Sequence, residues 1–184
     1  MTEQQLPAVG KRMCIGMVLL AAATPLFAQI NANTGHAAPP ACGPDSKQFV
    51  VKTDFEDHPL EKAEGKAVVY FLQDDGQIPR PTVRWGVDGT WAGATHSQSY
   101  FHIVVNPGEH HLCTSWQWTV PFGPGRQLAL FHFTAEPGKT YYFRARTYHS
   151  SGLPEPQTEL AAADSDEGRF LTGRYAYSSS RPKK

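Results

Sequence analysis

Two stretches of the chain follow one pattern: an apolar segment, a Pro-Gly pair and a second apolar segment. Tyr100–Cys113 reads Tyr-Phe-His-Ile-Val-Val-Asn-Pro-Gly-Glu-His-His-Leu-Cys, and Leu130–Phe143 reads Leu-Phe-His-Phe-Thr-Ala-Glu-Pro-Gly-Lys-Thr-Tyr-Tyr-Phe. They align without a gap, with Phe, His, Pro and Gly at equal spacing. Proline presets φ at the first central turn position and glycine supplies a positive φ at the second, so Pro107-Gly108 and Pro137-Gly138 predict type II turns. Read as two hairpins, these stretches commit the middle of the chain to strands. Alternation places Phe101, Ile103 and Val105, and likewise Phe131, Phe133 and Ala135, on a core face, with His102 and His132 on the other. The return strands differ. Leu112, Trp116 and Trp118 share a face with His110 in the first, whereas Tyr141, Phe143 and Ala145 form the apolar set of the second, one residue out of register. The repeat thus predicts shared topology rather than shared facing.

The rest of the chain fits the same class. Gly and Pro are spread throughout, aromatics are frequent and no long stretch has helical periodicity, which favours an all-β domain over a bundle or an α/β enzyme. Gln48–Thr53 reads as a first strand. Ala67–Gln73 is apolar on both alternating faces and is expected to lie centrally. Thr82–Val87, Asp88-Gly89 and Thr90–Ala94 read as a hairpin, Asp-Gly being a strong two-residue turn signal. Pro121–Gly125 and Ser150–Pro156 read as breaks. Asp164-Ser165-Asp166-Glu167 resembles a helix start, predicting a short helix over Ser165–Thr172 with Phe170 and Leu171 facing the sheet. The expected fold is an antiparallel β-sandwich of about seven or eight strands with this short C-terminal helix. The domain is expected over 42–177, followed by a disordered basic tail at 178–184.

The N-terminus has the layout of a secretory signal. Lys11 and Arg12 precede an apolar run from Met13 to Ala23, Pro25 breaks it, and Leu26-Phe27-Ala28 offers a cleavage point. Residues 1–28 are read as a signal peptide and 29–41 as a flexible linker. The alternative is an uncleaved anchor, for which the run is short of the roughly 20 residues of a span. The expected location is the periplasm or the extracellular space, with no membrane span after cleavage. The mature chain carries 15 basic and 16 acidic residues without a basic stripe, so nucleic-acid binding has no basis. Of three cysteines, Cys14 leaves with the signal, so Cys42 and Cys113 remain for a disulfide. Such a bond closes a loop of about 70 residues, for which chain entropy gives about 4 kcal/mol as an upper figure. Lipidation is the alternative. Lys11-Arg12-Met13 before Cys14 does not look like a lipoprotein signal, and Cys42 lies well past the apolar run.

Several segments together resemble a bacterial family of exported proteins known only as a domain of unknown function. They are Gly65-Lys66-Ala67 leading into Val68-Val69-Tyr70-Phe71, Val87-Asp88-Gly89 with Trp91 and Gly93, Tyr100-Phe101, Pro107-Gly108-Glu109-His110, and Pro137-Gly138-Lys139-Thr140-Tyr141-Tyr142. Short PEGA-type modules are similar, with a Val-Asp-Gly, Gly, Pro-Gly-x-His rhythm. The resemblance spans roughly Gly65–Arg146 and the Asp-Glu-Gly near Glu167. It implies a β-sandwich and export, and it carries over no catalytic residue. The Cys42–Cys113 pair is not part of the short-module pattern.

Three kinds of chemistry are open to these residues. All eight histidines lie beyond the expected cleavage point. His102 and His132 would ligate zinc or copper if their strands were neighbours with outward faces aligned, and His110 or His111 would add a third imidazole. Adjacent His110 and His111 point to opposite faces, so they do not readily share an ion. No His-Glu-x-x-His, Cys-x-x-Cys or Gly-x-Ser-x-Gly motif is present. A paired Cys113 has no free thiolate, and no spacing singles out an acid–base pair of carboxylates. Trp91, Trp116 and Trp118, with Trp85, Tyr141, Tyr142 and Tyr148, would give an aromatic platform for sugars or peptides, or simply fill the core. An exposed edge strand would accept a partner strand. The leading expectation is a non-catalytic envelope module binding a partner protein or glycan. The alternative is a histidine metal site serving metal handling or a metal-dependent enzyme.

Overall fold

The computed structural model describes residues 41–60, 64–75, 81–117, 127–148 and 157–184. The signal segment, residues 29–40 of the linker, His36, Trp118, His149 and the breaks at 121–125 and 150–156 lie outside the described residues. In chain order the elements are β1 (Phe49–Asp54), β2 (Ala67–Gln73), β3 (Thr82–Val87), β4 (Thr90–Thr95), β5 (Ser99–Val105), β6 (Gly108–Gln117), β7 (Leu128–Ala135), β8 (Thr140–Tyr148), β9 (Gln157–Ala163), α1 (Ser165–Thr172) and β10 (Ala176–Pro182). They form a six-stranded sheet in the order β1-β10-β5-β2-β8-β9 and a four-stranded sheet in the order β4-β3-β6-β7. The described residues are therefore all-β, with two sheets and one short helix. Among the described residues there are ten strands rather than seven or eight. The larger sheet is mixed rather than antiparallel, because β2 pairs with β8 and β10 with β5 in parallel. No helix among the described residues is long and apolar enough to cross a membrane.

The core lies between the two sheets. Val69, Phe71, Phe101, Phe143 and Leu160 from the larger sheet meet Val83, Trp85, Leu112 and Trp116 from the smaller. This arrangement changes the reading of the Pro-Gly stretches. β5 belongs to one sheet and β6 to the other, and the same holds for β8 and β7. Each Pro-Gly pair thus turns the chain across the core as an arch instead of closing a hairpin. The reason is apolar content: both strands of each stretch carry an apolar face, and an arch sets those faces against each other. Phe133 accordingly meets Tyr141 and Phe143 across the core, with ring centroids 5.0 and 4.7 Å apart. The two turns also differ, which accounts for the register offset of the return strands. Gly138 has φ +72° and Lys139 N–H donates to the Glu136 carbonyl at 3.2 Å, as a type II turn requires. Gly108 has φ +133° and already pairs with Ala135 as the first residue of β6.

Polar contacts define two attachments to this frame. The first is an N-terminal arm, residues 41–48, laid over the outer face of the smaller sheet and tied by the Cys42–Cys113 disulfide, with Cα atoms 5.2 Å apart. Ala41, Cys42, Phe49, Trp91, Ala94 and Cys113 form a second apolar cluster beneath it. Arg84 projects from β3 into this layer. Its guanidinium donates to the carbonyls of Asp45 and Lys47 at 3.0 and 2.9 Å and to Ser115 Oγ at 2.9 Å, and it stacks 4.4 Å from the Trp91 ring centre. The second attachment is the C-terminus. The expected disordered tail is instead strand β10, paired along its length with β1 and completing the larger sheet. Its polar Ser-Ser-Ser sequence conceals inward contacts: Ser178 is buried against Ser99, and Ser180 Oγ accepts from Ala94 N–H.

Helix α1 begins as its sequence predicts. Asp164 caps it, accepting from Asp166 and Glu167 N–H at 2.8 Å each. Leu171 is buried, but Phe170 is 62% exposed, so only one of the two expected residues faces the sheet. Gly168 takes the contact position. A Cβ there would stand 2.2 Å from Cγ of Tyr142, so only the bare backbone fits against that ring. Gly168→Ala should therefore destabilise the protein. Overpacking costs typically 1–3 kcal/mol, whereas replacing a helical glycine by alanine returns about 1 kcal/mol. A net loss of up to about 2 kcal/mol is expected in urea unfolding, and a raised midpoint would count against this packing.

Candidate functional site

The outer face of the six-stranded sheet carries the most distinctive grouping. Alternation that sends Val69, Phe71, Phe101 and Phe143 inward sends Tyr70, Tyr100, His102 and Tyr142 outward. Strand pairing then brings them together. Tyr70 lies opposite His102 on β5 and beside Tyr142 on β8, while Tyr100 lies beside Tyr177 on β10. Four rings close a quadrilateral: Tyr70–Tyr100 at 6.1 Å, Tyr100–Tyr177 at 5.5 Å, Tyr177–His102 at 5.4 Å and His102–Tyr70 at 5.4 Å between centroids. Tyr142 stacks on Tyr70 at 4.9 Å and 19°, and His58 stacks on Tyr177 at 3.8 Å and 14°. All six side chains are half-buried. Val104, opposite Val68 on β2, extends the apolar surface toward the sheet end.

Two polar clusters border this face. His58 Nε2 pairs with Asp54 Oδ1 at 2.6 Å, and this hydrogen bond outweighs the burial that opposes it, holding the Asp54 carboxyl below its ordinary value. On the other side α1 is fixed by the Glu167–Arg144 ion pair, and Tyr175 donates to Asp74 at 2.5 Å. Burial raises the hydroxyl pKa of Tyr70 to about 12, with the neighbouring tyrosines adding to the rise. Burial also raises Tyr100, Tyr142 and Tyr177. The phenols thus stay protonated, each able to donate and accept. Burial and nearby His58 push His102 below its ordinary value, so its ring is neutral at pH 7. Its Nδ1 is buried and finds no hydrogen-bond partner among the described residues. The face thus offers flat rings and hydroxyl groups, which suits stacking and hydrogen bonding more than acid–base chemistry.

The residues expected from sequence are distributed differently. His102 lies on this face, His132 projects from the outer face of the other sheet, and His110 lies on β6 against the β3–β4 turn. The proposed metal triad is therefore not assembled, because β5 and β7 are not neighbours. His110 is also engaged: Nδ1 lies 2.6 Å from Asp88 Oδ2 and Nε2 lies 2.8 Å from the Asn106 carbonyl. Burial pulls its pKa down, but the Asn106 carbonyl and the Asp88 carboxylate outweigh it and the net direction is up. Among the described residues no group of three or more His, Cys, Asp or Glu side chains is placed to hold a metal ion. Of the platform tryptophans, Trp91 is buried under the arm, donating to the Pro44 carbonyl, and Trp116 is buried in the core. The Cys42–Cys113 pair is joined as expected.

Fold and site together define a two-sheet β-protein with a half-exposed tyrosine-rich sheet face. No family model matches the chain, and neither a curated protein nor a solved structure does.

Proposed function

We propose that the chain is an exported, non-catalytic β-sandwich module, and that the Tyr70–Tyr100–His102–Tyr142–Tyr177 face binds a protein or glycan of the cell envelope. The observation that carries this reading is the grouping of five outward rings on neighbouring strands, half-exposed although the core already has its own aromatic set. Aromatic faces with hydroxyl handles bind sugar rings and extended peptides through contact area and few hydrogen bonds. The signal-like N-terminus supports export, and the Cys42–Cys113 bond is compatible with an oxidising compartment. The PEGA-like rhythm supports the same class.

The test is binding of the mature protein to immobilised envelope glycans and to envelope extract, beside Tyr70→Ala and Tyr142→Ala variants. Loss of a central aromatic contact typically costs 2 kcal/mol or more, about a 30-fold weakening. Binding of both variants at wild-type affinity would sink this face as the site. Reproducible turnover abolished by changing one polar residue would overturn the non-catalytic reading.

A further inference from the structure

We infer that the outer face of the four-stranded sheet carries a two-imidazole site for a late first-row divalent ion, formed by His111 and His132. The two residues lie directly opposite each other on antiparallel β6 and β7. Both project outward, since Leu112 and Phe131 beside them face the core. Their rings are 6.2 Å apart between centroids and inclined at 31°. Metal–nitrogen bonds of about 2.0–2.1 Å let two imidazoles share one ion at centroid separations up to about 6.5 Å. The rings are thus within reach of a common ion by side-chain rotation alone.

The surroundings favour this pair over the other histidines. Both rings are exposed, so water completes the coordination sphere. The backbone around His111 is tied down: its N–H donates to Asp88 Oδ1 at 2.8 Å, and the Cys42–Cys113 disulfide anchors β6 two residues further on. Glu109 projects from the same face of β6, its carboxylate 3.6 Å from His111 Nε2. Its negative charge favours a cation beside that ring. Two imidazole ligands with open positions suit copper(II), nickel(II) or zinc(II) rather than calcium or magnesium. His110, on the opposite face of the same strand, has both nitrogens occupied and takes no part.

The experiment is titration of the exported protein with copper(II) and zinc(II) by calorimetry, with electron paramagnetic resonance of the copper complex. One equivalent is expected, with coupling to two nitrogens. Losing either tethered ligand should weaken binding by about 100-fold, so His111→Ala and His132→Ala should each do so. His110→Ala and His102→Ala should leave it unchanged. Because imidazole binds metal only when deprotonated, affinity should also fall on acidification. No binding, or binding that survives both His111→Ala and His132→Ala, as an ion held by the amino terminus or His36 would, overturns the assignment. Because both substitutions are on exposed side chains, unchanged thermal unfolding of the metal-free variants should confirm that folding is intact.

Discussion

Replacing Cys42 and Cys113 together by alanine should lower the stability of the protein by about 2–4 kcal/mol. The bond spans a sequence separation of 71 residues, so chain entropy alone gives about 4 kcal/mol as an upper figure. Cys113 is fully buried and Cys42 nearly so, and removing their sulfurs also loosens the cluster with Trp91, Phe49 and Ala94. The loss should be uneven across the molecule. The arm, residues 41–48, rests on the outside of the smaller sheet, whereas the core between the sheets contains neither cysteine. Limited proteolysis should therefore cut the arm of the double variant first, with Trp91 becoming solvent-exposed before Trp85. Arg84→Ala should produce a related phenotype by removing the donor to the Asp45 and Lys47 carbonyls. Equal protease resistance of the arm with and without the bond would refute this division of labour.

Strand positions were legible because each rests on local signals. Ala67–Gln73 is apolar on both faces and lies between β5 and β8 as β2. Asp88-Gly89 closes the β3–β4 hairpin with φ of +49° and +82°, as a two-residue turn of this type demands. Asp164 starts α1 where its side chain reaches two free N–H groups. What sequence could not supply was the assignment of strands to sheets. A Pro-Gly turn reads the same whether it closes a hairpin or crosses a core, so the arches, and with them the separation of His102 from His132, stayed hidden. The aromatic face was hidden for the same reason. Tyr142 is among the aromatic candidates, but Tyr177 joins Tyr70 and Tyr100 only because β10, whose residues from 178 read as a tail, pairs with β5. Tryptophan is the larger aromatic, and its size favours burial, as for Trp85, Trp91 and Trp116.

Asp75→Ala should be about as damaging as loss of the disulfide, at about 3 kcal/mol. Asp75 follows β2 in a segment that reads as a loop, yet it is 1% exposed and ends a polar relay joining the sheets. Trp85 Nε1 donates to Thr95 Oγ1 at 2.8 Å, and Thr95 donates to Gln73 Oε1 at 2.8 Å. Gln73 Nε2 donates to Asp75 Oδ2 at 2.5 Å and to the Pro81 carbonyl at 2.8 Å. From the other side Thr147 N–H donates to Asp75 Oδ1 at 2.7 Å. The indole can only donate, so it sets the direction of every bond in the relay, and Asp75 must accept at both oxygens. Alanine would orphan two buried donors, each costing about 1–3 kcal/mol. Asparagine should cost less, because it keeps one acceptor and sets its amide against only one donor. Burial raises the Asp75 carboxyl above its ordinary 3.8, outweighing the Gln73 and Thr147 hydrogen bonds, and Asp74 adds to the rise. A carboxyl with a raised folded pKa binds its proton more tightly when folded. Its contribution is full below the unfolded value and is lost as pH rises through the folded one. Wild type should therefore gain stability relative to Asp75→Asn as pH falls from neutral toward 3.8. Denaturant unfolding of the pair across that window measures the slope, and a difference that stays flat or runs the other way would show that Asp75 does not bury its charge in the folded protein.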